Sequence, residues 1–232
     1  MQTLCNTVSG WAFHLIKNTI FAETIAKMKK ASCLLLASLT LLGCGKNQSG
    51  KTPEENVRLH ATICLQPFDN YSQQEAEQLK EVLEKKFLEF FDADFEFEVL
   101  PNRQFTADLR NDNKTRHRAD KIIRSLAKEA DDQKIIIGLT HKDVSCSYKG
   151  IQDWGVLGLC LHGTHACVAS DFRVKNKKRD YWKVVAHEFT HTYFGYSHCP
   201  KDDPTCIMKD AKGKPDLGRQ NNICKTCKDN IK

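Results

Sequence analysis

The sequence predicts an α+β domain: a small mixed, twisted sheet with flanking helices. Three observations carry that prediction. From Val57 onward, segments of two-residue apolar alternation take turns with segments of helical periodicity. Ile135-Ile136-Ile137, a short run with no polar residue, has the composition of a strand buried on both faces. Near the C-terminus one helical pattern, Arg179 to Phe194, is followed by a loop-rich, cysteine-containing tail.

Val57 to Pro67 opens the domain as a strand, with Leu59, Ala61, Ile63 and Leu65 alternating with more polar neighbours. Ser72 to Phe91 reads as a helix. Leu79, Val82, Leu83, Phe87 and Phe90 form its apolar stripe, and Ser72 with Glu75 supplies a capping box. Phe95, Phe97 and Val99 alternate again, up to Pro101. Arg116 to Lys128 is the second helix, turning Ile122, Ile123, Leu126 and Ala127 inward. Val156 to Leu161 and Ala166 to Ser170 read as two strands of a hairpin around His162-Gly163-Thr164-His165. No internal repeat is evident.

The N-terminal part reads differently. Met28-Lys29-Lys30, the apolar run Ala31 to Leu42 and the lipobox Leu41-Leu42-Gly43-Cys44 have the layout of a lipoprotein signal peptide over residues 28–43. The run is shorter than the roughly 20 apolar residues that span a bilayer. Cys44 is the expected lipidation site, which implies a bacterial cell envelope and a membrane reached through the lipid anchor. Residues 1–27 are read as an upstream extension or an early start, 44–56 as a flexible tether, and 57–232 as the folded domain.

Loss of residues 1–43 removes four lysines and one glutamate and lowers the formal charge from +6 to about +3. No Lys- or Arg-rich block stands out, so nucleic-acid binding has little support. A monomer is expected. With Cys44 lipidated, Cys64, Cys146, Cys160, Cys167, Cys199, Cys206, Cys224 and Cys227 remain. In an oxidising compartment these are candidates for disulfides or metal ligands.

The chemistry concentrates in His187-Glu188-Phe189-Thr190-His191, followed by Gly195 and His198. Histidines at i and i+4 share one face of a helix and can bind one metal ion. Three imidazoles suit zinc and leave a fourth position open. Glu188 sits beside the first of them, placed to act as general base on an activated water.

This segment resembles the metzincin clan of zinc peptidases. His198-Cys199, Cys206-Ile207-Met208 and Cys224-Lys225-Thr226-Cys227 sharpen the resemblance to the archaemetzincin family, and the likeness in order of elements covers nearly all of residues 57–232. The resemblance implies a metzincin-like zincin fold and a zinc metallopeptidase acting on a peptide or protein substrate. It assigns His187, His191 and His198 to a catalytic zinc, Cys199, Cys206, Cys224 and Cys227 to a structural zinc, and Met208 to the Met-turn. It also makes Gly155 to Leu161 the candidate strand for binding an extended peptide.

Two features depart from the family pattern. Three residues, Thr192, Tyr193 and Phe194, stand between His191 and Gly195 where the family has two. Within the helix, one extra residue turns the downstream chain by about 100°; a bulge near Gly195 is the easier accommodation. Six residues separate Cys199 from Cys206 where the family has four, and Asp202 and Asp203 there are potential rival ligands. An alternative function is a catalytically inactive zinc- or peptide-binding surface lipoprotein of the same fold. An alternative for the four cysteines is two disulfides. Cys160 and Cys167, facing across the hairpin, are read as a cross-strand disulfide or two buried thiols, and Cys64 could pair with Cys146.

Overall fold

The computed structural model describes residues 59–212 and 215–231. The signal peptide, Cys44, the tether and the first two residues of the opening strand lie outside the described residues.

The chain runs through β1 (Leu59–Pro67), α1 (Gln73–Phe90), β2 (Ala93–Val99), β3 (His117–Arg118), α2 (Ala119–Leu126), β4 (Lys134–Thr140), β5 (Val144–Tyr148), β6 (Ile151–Val156), β7 (Gly158–Cys160), β8 (Ala166–Ser170), α3 (Tyr181–Phe194) and α4 (Lys225–Asn230). Five strands form the main sheet in the order β2-β1-β4-β8-β7. The first four are parallel, and β7 closes the edge antiparallel to β8. A second sheet joins β3, β5 and β6. The predicted small mixed sheet with flanking helices is present.

The apolar run at Ile135 to Ile137 is explained by the layers that cover β4. Ile135, Ile137 and Leu139 face the core containing α1 and α3, whereas Ile136 faces the core containing α2. A strand buried on both sides has no polar face to alternate with. The capping box at Ser72 and Glu75 is formed: the Glu75 amide donates to Ser72 Oγ at 3.1 Å, and the Ser72 amide donates to Glu75 Oε2 at 2.9 Å. Phe87 of α1 meets Phe189 of α3 with ring centres 4.8 Å apart, locking the two helices together over the sheet.

Several boundaries move. The helix expected from Arg116 begins at Ala119, because His117 and Arg118 pair with Val144 and Ser145 of β5. Sheet pairing offers these backbone groups partners that the first turn of a helix would leave unsatisfied. The strand expected from Val156 to Leu161 is broken at Leu157. There the chain passes from the small sheet to the main one, and the Leu157 carbonyl accepts from the Ser170 amide at 2.7 Å. The motif helix starts at Tyr181 after a 3-10 stretch, Lys175–Asp180, and the tail expected to be loop contains α4.

Candidate metal centre

Helix α3 is fixed at its first turn. Tyr181 Oη donates to the Ala169 carbonyl of β8 at 2.8 Å. The buried Lys183 ammonium meets Asp180 Oδ1 at 2.8 Å and donates to the Leu217 carbonyl at 2.6 Å and to Asn221 Oδ1 at 2.8 Å. Three acceptors match its three protons, so the buried charge is satisfied and the C-terminal segment is pinned to the helix.

Farther along α3, His187 and His191 stand on one face with their Nε2 atoms 3.0 Å apart. Each ring is oriented from behind. His187 Nδ1 pairs with the Ile207 carbonyl at 2.6 Å and His191 Nδ1 with the Tyr196 carbonyl at 2.5 Å. A carbonyl can only accept, so both Nδ1 atoms carry the proton and both Nε2 lone pairs are free for a ligand. Burial, and for His187 the nearby His191, pushes these imidazoles down, to about 3 for His187 and about 4 for His191. Both rings are therefore neutral near pH 7.

Gly195 ends α3 in the left-handed region at φ +60°, where glycine carries no side-chain penalty. The helix is unbroken to Phe194, so the additional residue lies inside it and no bulge forms. The turn after Gly195 brings His198 back, and one ring nitrogen from each of His187, His191 and His198 lies within 4.8 Å of the others. Nitrogens bound to one tetrahedral zinc stand about 3.3 Å apart, so a small closure about an ion satisfies the geometry. Met208 is fully buried, and its carbonyl accepts from the Cys199 amide at 2.7 Å.

Glu188 is on the same helix and buried. Burial pushes its carboxyl up to about 8. It packs against Gly158 of β7 so closely that a Cβ there would lie 2.7 Å from Oε1. His187, Glu188, His191 and His198 open into a cleft of about 980 Å³.

The second cluster is thiol-only. Sulfur–sulfur distances are 3.7 Å for Cys199–Cys224, 3.7 Å for Cys206–Cys227 and 3.5 Å for Cys224–Cys227. Four sulfurs about 2.3 Å from one zinc stand ~3.8 Å apart, whereas a disulfide needs ~2.05 Å. The arrangement fits a tetrahedral soft-metal site. Burial pushes Cys206 up to about 11, whereas Cys199, though burial resists it, is held below its ordinary value by the Asp203 and Lys201 amides. Asp202 pairs with Lys209 at 2.8 Å, and Asp203 accepts from the Thr205 amide at 2.8 Å, so neither carboxylate joins the thiols.

The other four described cysteines, Cys64, Cys146, Cys160 and Cys167, are free thiols. Cys160 and Cys167 sit opposite one another in the β7–β8 register as expected, but without a bond, and Cys64 and Cys146 do not pair. Among the described residues, His162 and His165 belong to no metal-ligating group. Sequence reasoning missed Gly158, the Lys183 anchor and the β5–β6 hairpin. Only Lys183 left a signal, one turn before His187 on the ligand face.

An α+β domain with three histidines from one helix–turn at a sheet edge, and four cysteines behind it, defines a metzincin-type fold with two candidate metal sites. No family model matches the chain, and no curated protein matches it. Among solved structures it is similar to archaemetzincin from Archaeoglobus fulgidus, determined with malonate, at 23% identity and a TM-score of 0.55. That match covers 73% of this chain and 99% of the other. It is also similar to archaemetzincin from Methanopyrus kandleri, at 19% identity and a TM-score of 0.59, covering 74% of this chain and 93% of that one. The fold is archaemetzincin-like.

Proposed function

We propose that the protein is a zinc-dependent peptidase. The observation that carries this reading is the convergence of His187, His191 and His198 in an open cleft with Glu188 beside them. When bound there, zinc supplies Lewis acidity toward a water and toward a peptide carbonyl. The chain's own groups do the rest. The Ile207 and Tyr196 carbonyls hold two imidazoles in the ligating tautomer. Beside a bound cation the Glu188 carboxyl is held ionised against its burial, and the carboxylate then takes a proton from the attacking water and returns it to the departing amine. Cys199, Cys206, Cys224 and Cys227 hold a second, structural zinc that secures the tail carrying Met208. Edge strand β7 lies along the cleft, and its free side is suited to an extended peptide added as a further strand. On the sequence pattern alone, Cys44 carries a lipid and tethers the domain to a bacterial membrane. Among the described residues no helix is long and apolar enough to cross one.

The test is hydrolysis of a broad peptide library by the zinc-loaded protein and by its Glu188→Ala variant. Two zinc per chain and a loss of about 10²–10⁴-fold in turnover for the variant are expected. Zinc retained by both proteins, with no glutamate-dependent turnover, would overturn the assignment.

A further inference from the structure

The β5–β6 hairpin carries a feature that the metal chemistry does not use. Its two-residue turn, Lys149-Gly150, has φ of +47° and +82°, the geometry that lets two strands close tightly. Tyr148 and Trp154 stand on the hairpin 47% and 38% exposed, with ring centres 5.8 Å apart and Lys149 Nζ 5.2 Å from the Tyr148 ring centre. Together they make one apolar patch, and both rings line the same cleft as His187 and Glu188.

The patch is exposed yet held in place. Asp153, which alternates with Trp154 and so faces the other way, receives Arg116 Nη1 at 3.0 Å and Asn111 Nδ2 at 2.9 Å. Arg118 donates to the Gln152 carbonyl and, at 3.1 Å, to Ser147 Oγ. Arg116 also grips Asp143, which in turn holds both Arg173 Nε and Nη2 at 2.8 Å. Polar anchors thus fix the strand from behind while its aromatic face stays open, an arrangement that lowers the ordering cost of binding.

Between this patch and the metal site the chain carries Gly155 and Gly158. Gly155 faces the same side as Asp153, where the Arg173 guanidinium takes the space a side chain would occupy, and Gly158 faces the Glu188 carboxylate. Trp154, Gly155, Gly158 and Glu188 line one cleft, so the strand path leads from the patch to the metal site.

We infer that Tyr148 and Trp154 form a specificity subsite that receives a large apolar side chain of an extended peptide lying along β6–β7 toward Glu188. The inference rests on the peptidase reading of the same cleft and supplies its substrate class: peptides with a large apolar residue displaced from the scissile bond to one side.

The experiment uses the zinc-loaded protein and labelled peptides that differ at one position at a time, Phe against Ser. Hydrolysis gives the ratio of kcat/KM for each pair; fluorescence anisotropy with the Glu188→Ala protein gives the ratio of Kd. The wild-type protein is expected to favour Phe at one position by about tenfold or more. Tyr148→Ser with Trp154→Ser is expected to bring that ratio close to one, chiefly through KM, at unchanged zinc content. Tyr148→Phe with Trp154→Phe is expected to keep it, which separates ring chemistry from a folding defect. An unchanged ratio in the double serine variant overturns the inference. So does a change from dimer to monomer with selectivity intact, which would make the patch a self-association surface. Aromatic-dependent binding without any hydrolysis supports the subsite and removes the peptidase reading alone.

Discussion

Gly158 lies against the Glu188 carboxylate with no room for a methyl group: a Cβ at this position would come within 2.5 Å of Glu188 Cγ and 2.7 Å of Oε1. The edge strand β7 and helix α3 are in contact through an absent side chain. Gly158→Ala is therefore expected to displace the carboxylate while the three imidazoles keep their positions. Peptide turnover should fall by roughly tenfold or more at unchanged zinc content. Wild-type turnover in a folded, zinc-loaded Gly158→Ala protein would show that Glu188 is not the working base.

The thiol cluster makes a stoichiometric prediction. Cys227→Ser should lower bound zinc from two to one per chain and destabilise the tail, since ligand binding energy is also folding energy. Mass measurement after chelation and alkylation without reductant should find all eight thiols of the described domain modified. A mass lower by two or four hydrogens, with sites blocked, would mark disulfides instead.

Lys183 is a buried cation whose three partners come from α3's own start and from the tail. Lys183→Met strands the Asp180 carboxylate, which is itself buried, and is expected to cost about 3–5 kcal/mol. In a domain of this size that lowers Tm by ~10 °C. Adding Asp180→Asn should recover part of the loss, because the uncompensated charge is then gone. No recovery would mean that the hydrogen bonds to the Leu217 carbonyl and Asn221, not the ion pair with Asp180, account for the loss.

His117 gives a pH prediction away from the metal sites. It is buried beside Phe105, with ring centres 4.6 Å apart, and burial, with the nearby Arg110 charge, pushes its pKa down from 6.5. The unfolded chain thus binds a proton that the folded chain resists. Its contribution is present above pH 6.5 and is lost as the pH falls through the lowered folded value. His117→Phe should flatten the decline of Tm between pH 7 and pH 5; an identical slope would remove His117 from the balance.

The features legible in the sequence and those hidden from it divide along physical lines. α1 and β4 were legible because their signals are local: a capping pair three residues apart, and an apolar run that only two-sided burial produces. The His187–His191 pair was legible because ligand chemistry fixes both residue type and helical spacing, whereas His198 and the four thiols were reached through the family resemblance. The β5–β6 hairpin was not, since β6 has no buried face to impose alternation and every residue of it is exposed or half-buried. Gly158 could not be read either: the reason for a glycine there lies 30 positions away in the chain, on another element. For Lys183 the helical register with His187 was visible, but its acceptors stand 34 and 38 residues downstream.

His198 and Cys199 are consecutive, so a single peptide bond joins the cleft to the thiol cluster. Under the zinc assignment, that bond leaves no slack between the two. Whatever the thiols hold sets the backbone of Cys199 and, through it, the reach of the third imidazole. A shift of the Cys199 backbone would then move the His198 imidazole without altering a residue of the helix.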